Sequence, residues 1–386
     1  MQPHPEPSPQ RARPGIAAAV CMPDGERTPV VVLDGRAAHG EVVAQALAAF
    51  YRVVSLQECR QAMQAVADLK PAVLIVDEDA PPLGGPEMVR KVRGLGRFAH
   101  LQIVATSSNP HSDFIRNAAS YGADVGLPKP FRRSLLLHVV SSRTNRAVEA
   151  RWQGLAPQHR DSLRATLAVF NGISDMLETS LPVDYAKLSA ACDLLVAAVT
   201  SGDYRPILTG IRDHDNYTFA HSLRVAVLLI LFGHAIGLNG HDLTVLAGGG
   251  LLADIGKMFI PPMDLNKPGP LDDDERGAMR DHVALSVRHV ARSPDIPRGI
   301  MSIVAHHHER LDGSGYPDGL TGNRLDSLAR MAAIVDVFAA LTDRRCYRAP
   351  VSAEQALKTM TDDMAGQLDG HLIRLFTAML LGVAGA

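Results

Sequence analysis

Ala72-Val73-Leu74-Ile75-Val76-Asp77 is an unbroken apolar run closed by an acid. A run this short and this rich in β-branched residues reads as a strand buried on both faces, the kind found in parallel sheets. The pattern occurs earlier in Val30-Val31-Val32-Leu33-Asp34, after Pro29, and more weakly in Leu101-Gln102-Ile103-Val104-Ala105-Thr106. Helix-like segments lie between, such as Glu41 to Phe50 and Pro86 to Arg93. Strands alternating with helices predict an α/β doubly wound parallel sheet, with its site at the carboxyl ends of the strands. Asp34, Asp77 and Thr106 all stand at such ends, and Lys129 follows in Leu127-Pro128-Lys129-Pro130-Phe131. Taken singly these are ordinary surface charges; their order and spacing carry the reading.

Working outward, the chain has 386 residues, enough for two domains. Apolar residues make up 46%, so sizeable cores can be buried and global disorder is excluded. The net charge of −2 argues against a protein that holds nucleic acid by its phosphates, and direct DNA binding is not expected. Cys21, Cys59, Cys192 and Cys346 are scattered without a CxxC pair, which suits a reducing cytoplasm. The first residues are rich in proline and lack the apolar region of a signal peptide, so 1–27 is expected to be a disordered arm. The most apolar stretch, Val225 to Leu238, is short for a span and is interrupted by His234. It predicts a buried helix and no membrane span.

Beyond about residue 145 the pattern turns helical. Leu163, Leu167, Ile173 and Leu177 follow helical spacing, as does the stretch from Leu188 to Val199. We expect 146–200 to be a helical linker, or the first layer of the following core. Residues 201–386 then carry long apolar stretches, Ser222 to Leu238 and Leu328 to Leu341, without internal proline. An all-α domain is predicted, and such domains build metal sites from side chains on facing helices. The donor-rich stretch is His306-His307-His308-Glu309, leading into Arg310-Leu311-Asp312-Gly313-Ser314-Gly315-Tyr316-Pro317. Imidazole is the usual nitrogen ligand for Zn, Fe, Mn or Ni, and a carboxylate such as Glu309 can complete such a site. His221, Asp254, His282 and Asp336 are further donors in order. A lone buried histidine is more often a satisfied core residue than a ligand. Asp254 and Asp336 are harder to place in a core, because a carboxylate amid apolar residues needs a cation.

Both halves resemble known families. The first resembles the receiver domain of two-component response regulators, over about residues 28–145. The resemblance implies that Asp77 accepts phosphate, with Asp34, Thr106 and Lys129 beside it and Mg²⁺ bound, and that a sensor histidine kinase is the partner. Gly35 departs from the family, which has a second acid there, and Ala80-Pro81 departs from its Met-Pro. The second half is similar to the HD-GYP phosphodiesterases over 213–376, the all-α HD-type phosphohydrolases that hydrolyse cyclic di-GMP. The resemblance implies a mono- or dinuclear Fe or Mn centre on His221, Asp254, His282, His307, His308 and Asp336. It makes Lys257 catalytic with Asp254, and assigns Tyr316, Arg345 and Arg348 to substrate; Asn266-Lys267-Pro268-Gly269 matches a family loop. Ala253 replaces the histidine of the His-Asp pair, Ala339 replaces a second acid, and Tyr217 stands where some members carry a third-metal glutamate. The expectation is a slowed phosphodiesterase. The alternative is a non-catalytic sensor of the nucleotide, or a docking protein for partners such as diguanylate cyclases, with a homodimer compatible with either.

Overall fold

The computed structural model describes residues 28–47, 51–131, 133–179, 181–212, 214, 217–260, 272–343 and 351–382. The expected arm, the Asn266–Gly269 loop, Arg345 and Arg348 lie outside the described residues.

The first domain is a parallel sheet in the order β2-β1-β3-β4-β5. Its strands are β1 (Pro29–Leu33), β2 (Arg52–Leu56), β3 (Val73–Asp77), β4 (Gln102–Ser107) and β5 (Val125–Pro128). All of β3 is buried, as its unbroken apolar run requires. Helices α1 (Ala37–Leu47), α2 (Cys59–Leu69), α3 (Gly85–Gly94) and α4 (Arg133–Thr144) flank it. Separate apolar clusters fill the two faces, one built on Val31, Leu74 and Ile103, the other on Val30, Val73 and Val104. β2 and β5 escape the sequence pattern because Arg52 and Ser55 interrupt one and the other is four residues long. The strand order reverses between β1 and β3, which is where such sheets form their site. Register does the rest: Leu33 pairs with Val76, and Asp77 pairs with Thr106.

The second core begins earlier than 201. Helices α5 (Pro157–Thr179) and α6 (Tyr185–Thr200) contribute Leu163, Ile173, Leu188 and Leu195 to one apolar cluster with the helices that follow. The segment expected as a linker is therefore a layer of this core. Its centre is α7 (Tyr217–Ala235), and 83% of its most apolar window is buried in the fold. That helix is long and apolar enough to cross a membrane, yet its apolar surface is spent on neighbours here. Around it lie α8 (His241–Leu252), α9 (Asp273–Val290), α10 (Arg298–His306), α11 (Ser327–Thr342) and α12 (Gly370–Leu381). Phe232, Phe338 and Phe376 meet in edge-on contacts between α7, α11 and α12. Each such buried ring contributes about 1.5–3 kcal/mol through the area it removes from water.

Gly248-Gly249-Gly250 would weaken an isolated helix, since each glycine costs up to about 1 kcal/mol against alanine. Packing explains their presence in α8. A Cβ on Gly250 would stand 2.7 Å from the Ala226 Cα, so α7 and α8 touch backbone to backbone. This close approach brings the end of α8, and hence Asp254, beside His221 on α7.

Candidate metal centre

Three helix ends and two helix interiors converge on one buried point. His221 lies one turn into α7, and Asp254 opens the 3-10 turn Ile255–Phe259 after α8. His282 is central in α9, His307 caps α10 with His308 next in sequence, and Asp336 is central in α11. The six sequence-expected ligands are thus brought together. Asp254, His282, His307 and His308 offer donor atoms within 4.8 Å of one another, and so do His221, Asp254 and Asp336. Asp254 belongs to both groups.

The distances show how the carboxylates are shared. Asp254 Oδ1 faces His282 Nε2 at 3.3 Å and His307 Nε2 at 3.6 Å. Its Oδ2 faces His221 Nε2 at 3.3 Å and the Lys257 ammonium at 2.6 Å. Asp336 stands 3.5 Å from His221 Nε2 and 3.3 Å from His308 Nδ1.

Tautomers follow from the opposite ring nitrogens. His282 Nδ1 is 2.5 Å from the Met279 carbonyl, and His307 Nδ1 is 3.2 Å from the carbonyls of Ile303 and Val304. A carbonyl only accepts, so Nδ1 carries the proton and Nε2 is a bare lone pair. Asp254 Oδ1, His282 Nε2 and His307 Nε2 are all buried without a hydrogen-bond partner. Buried polar atoms are seldom left so, and a cation between them satisfies all three at once. Mixed imidazole and carboxylate donors fit a divalent transition metal.

Protonation agrees with ligation, which needs charged carboxylates and neutral imidazoles. Burial raises the Asp254 carboxyl, but Lys257 and the rings of His221, His282 and His307 outweigh it, holding it well below the usual carboxylate range. Burial also opposes ionisation of Asp336, and His308 with His221 reverses that. His308 is pushed well below the usual imidazole range by burial first and by His307 second.

Several neighbours were not legible in the sequence. Glu309, the acid that follows the three histidines, turns away from the donors. It is 1% exposed and accepts the backbone N–H groups of Asp318 at 2.7 Å and Leu320 at 3.0 Å. It clamps the Gly-Tyr-Pro loop, as loop amides cannot be buried unpaired. Tyr316 is stacked on His308, centroids 4.7 Å apart, and the Arg280 guanidinium lies 5.1 Å from the centroid of its ring. Ser286 ties the turn below, its Oγ donating to the Ala253 carbonyl at 2.8 Å and accepting from Gly256 N at 2.9 Å. Gly256 is required there, since a Cβ would lie 2.0 Å from the His282 carbonyl oxygen. Ala253 is buried at the C-cap of α8 and supplies no donor. His241 does not replace the missing imidazole; it is exposed at the far end of the same helix, roughly 18 Å away at 1.5 Å per residue.

The first domain holds a second polar cluster. Asp34, Asp77 and Thr106 are all buried at the strand ends. The Lys129 ammonium is 2.5 Å from Asp77 Oδ2 and also bonds Asp34, and Thr106 Oγ1 is 3.4 Å from Asp77. Glu78 is occupied by Ser107 and Ser112.

Together these features define a two-module protein: an α/β domain with an acid–lysine pocket, and a helical domain with a buried histidine–carboxylate centre. A family model for the response regulator receiver domain matches residues 30–141, and one for the HD domain matches 210–372. The chain is thus a receiver domain joined to an HD domain.

Among relatives, cyclic di-GMP phosphodiesterase PA4108 of Pseudomonas aeruginosa is 36% identical over 169 residues, 44% of this chain and 41% of that protein. The 3'3'-cGAMP-specific phosphodiesterase 1 of Vibrio cholerae is 38% identical over 40% of this chain and 36% of its own length. The cyclic di-GMP phosphodiesterase response regulator RpfG of Xanthomonas campestris is 28% identical over 74% of this chain and 69% of its own length. The chain spans less than half the length of the first two.

Proposed function

We propose that this chain is a response regulator whose HD domain hydrolyses cyclic di-GMP by metal-assisted phosphodiester hydrolysis, slowly. The observation that carries this reading is the convergence of Asp254 Oδ1, His282 Nε2 and His307 Nε2, buried with no hydrogen bond among them. Asp254, His282, His307 and His308 would hold one divalent ion, and His221, Asp254 and Asp336 a second, with Asp254 shared. The family resemblance favours Fe or Mn. When bound, such ions acidify water and polarise phosphoryl oxygens.

The chain's own residues supply the rest. The Lys257 ammonium, 2.6 Å from Asp254, would neutralise charge developing on the phosphate or leaving oxygen. Tyr316, in contact with His308 and with the Arg280 guanidinium, would form a wall of the substrate pocket. Arg345 and Arg348 would grip phosphate through their planar forks. In the receiver, Asp77 would take phosphate from a sensor histidine kinase, beside Asp34, Thr106, Lys129 and Mg²⁺. The setting of such a reaction is the cytoplasm.

Ala253 favours a second reading: a protein that binds the dinucleotide, or diguanylate cyclase partners, without hydrolysis. One experiment separates the two. Metal content per chain is measured together with turnover and binding of cyclic di-GMP and 3'3'-cGAMP in Fe(II)- or Mn(II)-supplemented buffer. The enzyme reading expects slow hydrolysis of cyclic di-GMP, with the second metal sub-stoichiometric. Binding without hydrolysis establishes the sensor, faster hydrolysis of 3'3'-cGAMP corrects the substrate, and no metal uptake sinks the metal reading.

A further inference from the structure

Asp343 belongs to no motif read in the sequence and to neither donor group. It is the extended C-cap of α11, 6% exposed, with its backbone N–H bonded to the Ala339 carbonyl at 2.7 Å. Its two carboxylate oxygens face different partners. Oδ2 lies 2.5 Å from His221 Nδ1, and Oδ1 contacts the Arg224 guanidinium. Arg224 sits on α7 with His221 and is 2% exposed. Its Nη2 also donates to Thr342 Oγ1 at 2.7 Å, and Thr342 donates in turn to the Phe338 carbonyl at 2.7 Å. The carboxylate is therefore held by a buried cation on one side and presents its other oxygen to an imidazole.

Burying an arginine–aspartate pair carries a desolvation cost that well-packed apolar residues avoid, so the pair alone is weak as a stabilising device. What it does for His221 is specific. An ionised carboxylate only accepts, so the His221 proton is held on Nδ1. Nε2 is then the bare nitrogen, and it points between Asp254 and Asp336 at 3.3 and 3.5 Å. In water the commoner imidazole tautomer carries its proton on Nε2, which would turn an N–H into this pocket.

We infer that Asp343, backed by Arg224, is a positioning residue that fixes the tautomer and direction of His221. The consequence for metal rests on the reading given under Proposed function. The His221–Asp254–Asp336 group has three donors against four in the other. It is the weaker position and depends most on the aim of each donor. A carboxylate behind a ligating histidine also raises ring basicity, and losing such a partner typically costs about 10–100-fold in metal affinity.

The test compares wild type with Asp343→Asn, Asp343→Ala and the double variant R224M/D343A, which leaves no uncompensated buried cation. Long-range ¹H–¹⁵N NMR of the metal-free proteins reads the His221 tautomer, Mn(II) titration followed by EPR reads affinity, and thermal melts read the fold. Wild type is expected to show Nδ1–H. Asp343→Asn should move it to Nε2, because the Arg224 guanidinium claims the single carboxamide oxygen and the NH2 group is left to face His221 Nδ1. The double variant should move the proton to Nε2 and lose about 10–100-fold in Mn(II) affinity at the weaker position. The same tautomer in wild type and the double variant would overturn the inference, as would unchanged Mn(II) affinity in a folded double variant. If wild type takes up no Mn(II), the metal reading falls, and the tautomer comparison still decides whether Asp343 positions His221.

Discussion

The receiver pocket and the HD centre both gather buried carboxylates at one point, and they differ in what is left over. In the receiver the carboxylate oxygens are satisfied from within. Asp77 accepts Asp79 N at 3.1 Å and Lys129 at 2.5 Å; Asp34 accepts Arg36 N at 3.0 Å and the same lysine. In the HD centre one oxygen of Asp254 and the Nε2 atoms of His282 and His307 converge with no hydrogen bond. A cluster with such valency left over is ready to take an ion as it stands, whereas the receiver carboxylates would have to exchange their present partners for one. Room matters as well. A Cβ on Gly35 would lie 2.7 Å from Pro81 Cδ, so a proline ring fills the space of the second receiver acid. At Ala253 a donor is missing, but six others remain around the point it would serve.

The largest effect that can break this contrast is expected at Asp254. Both donor groups share it, so Asp254→Ala should bring metal content, by elemental analysis, down to background and abolish dinucleotide turnover. Full metal content in this variant would mean that Asp254 is not a ligand.

Gly256→Ala comes next. The new methyl would overlap the His282 backbone, and relieving such overpacking typically costs about 1–3 kcal/mol. Urea denaturation should show that loss, together with weaker metal uptake, because His282 must move. An unchanged midpoint with unchanged metal would show that the turn accommodates a side chain.

Ala253→His sharpens the comparison from the other side. Restoring an imidazole should raise second-metal affinity and turnover by about tenfold, the lower end of what even an outer partner of a ligand contributes. A gain in metal with no gain in turnover would favour the sensor reading, since other departures such as Ala339 would then limit catalysis.

The smallest effect is expected in the receiver. With a small phosphodonor and Mg²⁺, intact mass should show only minor phosphorylation, lost in Asp77→Asn. Gly35→Asp alone should add little, because the Pro81 ring meets its Cβ; Gly35→Asp with Pro81→Ala should increase the adduct. A strong increase from the single substitution would show that the ring yields readily.

Much of both domains was legible in the chain itself. Buried parallel strands must be apolar throughout, so β1, β3 and β4 announce themselves, and the acids that close them mark the pocket. Donor types are equally explicit: the side chains of His221, Asp254, His282, His307, His308 and Asp336 are of the kinds that can hold a metal, with a resemblance to order them. Local pattern failed where the decisive contact is distant. Asp343 is 122 residues from the ring it holds, and nothing around it in sequence differs from an ordinary helix end. Glu309 adjoins three histidines, yet backbone amides nine and eleven residues on claim its oxygens, so its neighbours were misleading. The fill of the space beside Gly35 by Pro81, and the backbone contact of α7 with α8 at Gly250, are facts of packing. The sequence by itself determined which groups can bind or react, because that is the chemistry of each side chain. Only the tertiary structure decided which of them keep a free lone pair, because that depends on every donor and acceptor the fold brings within reach.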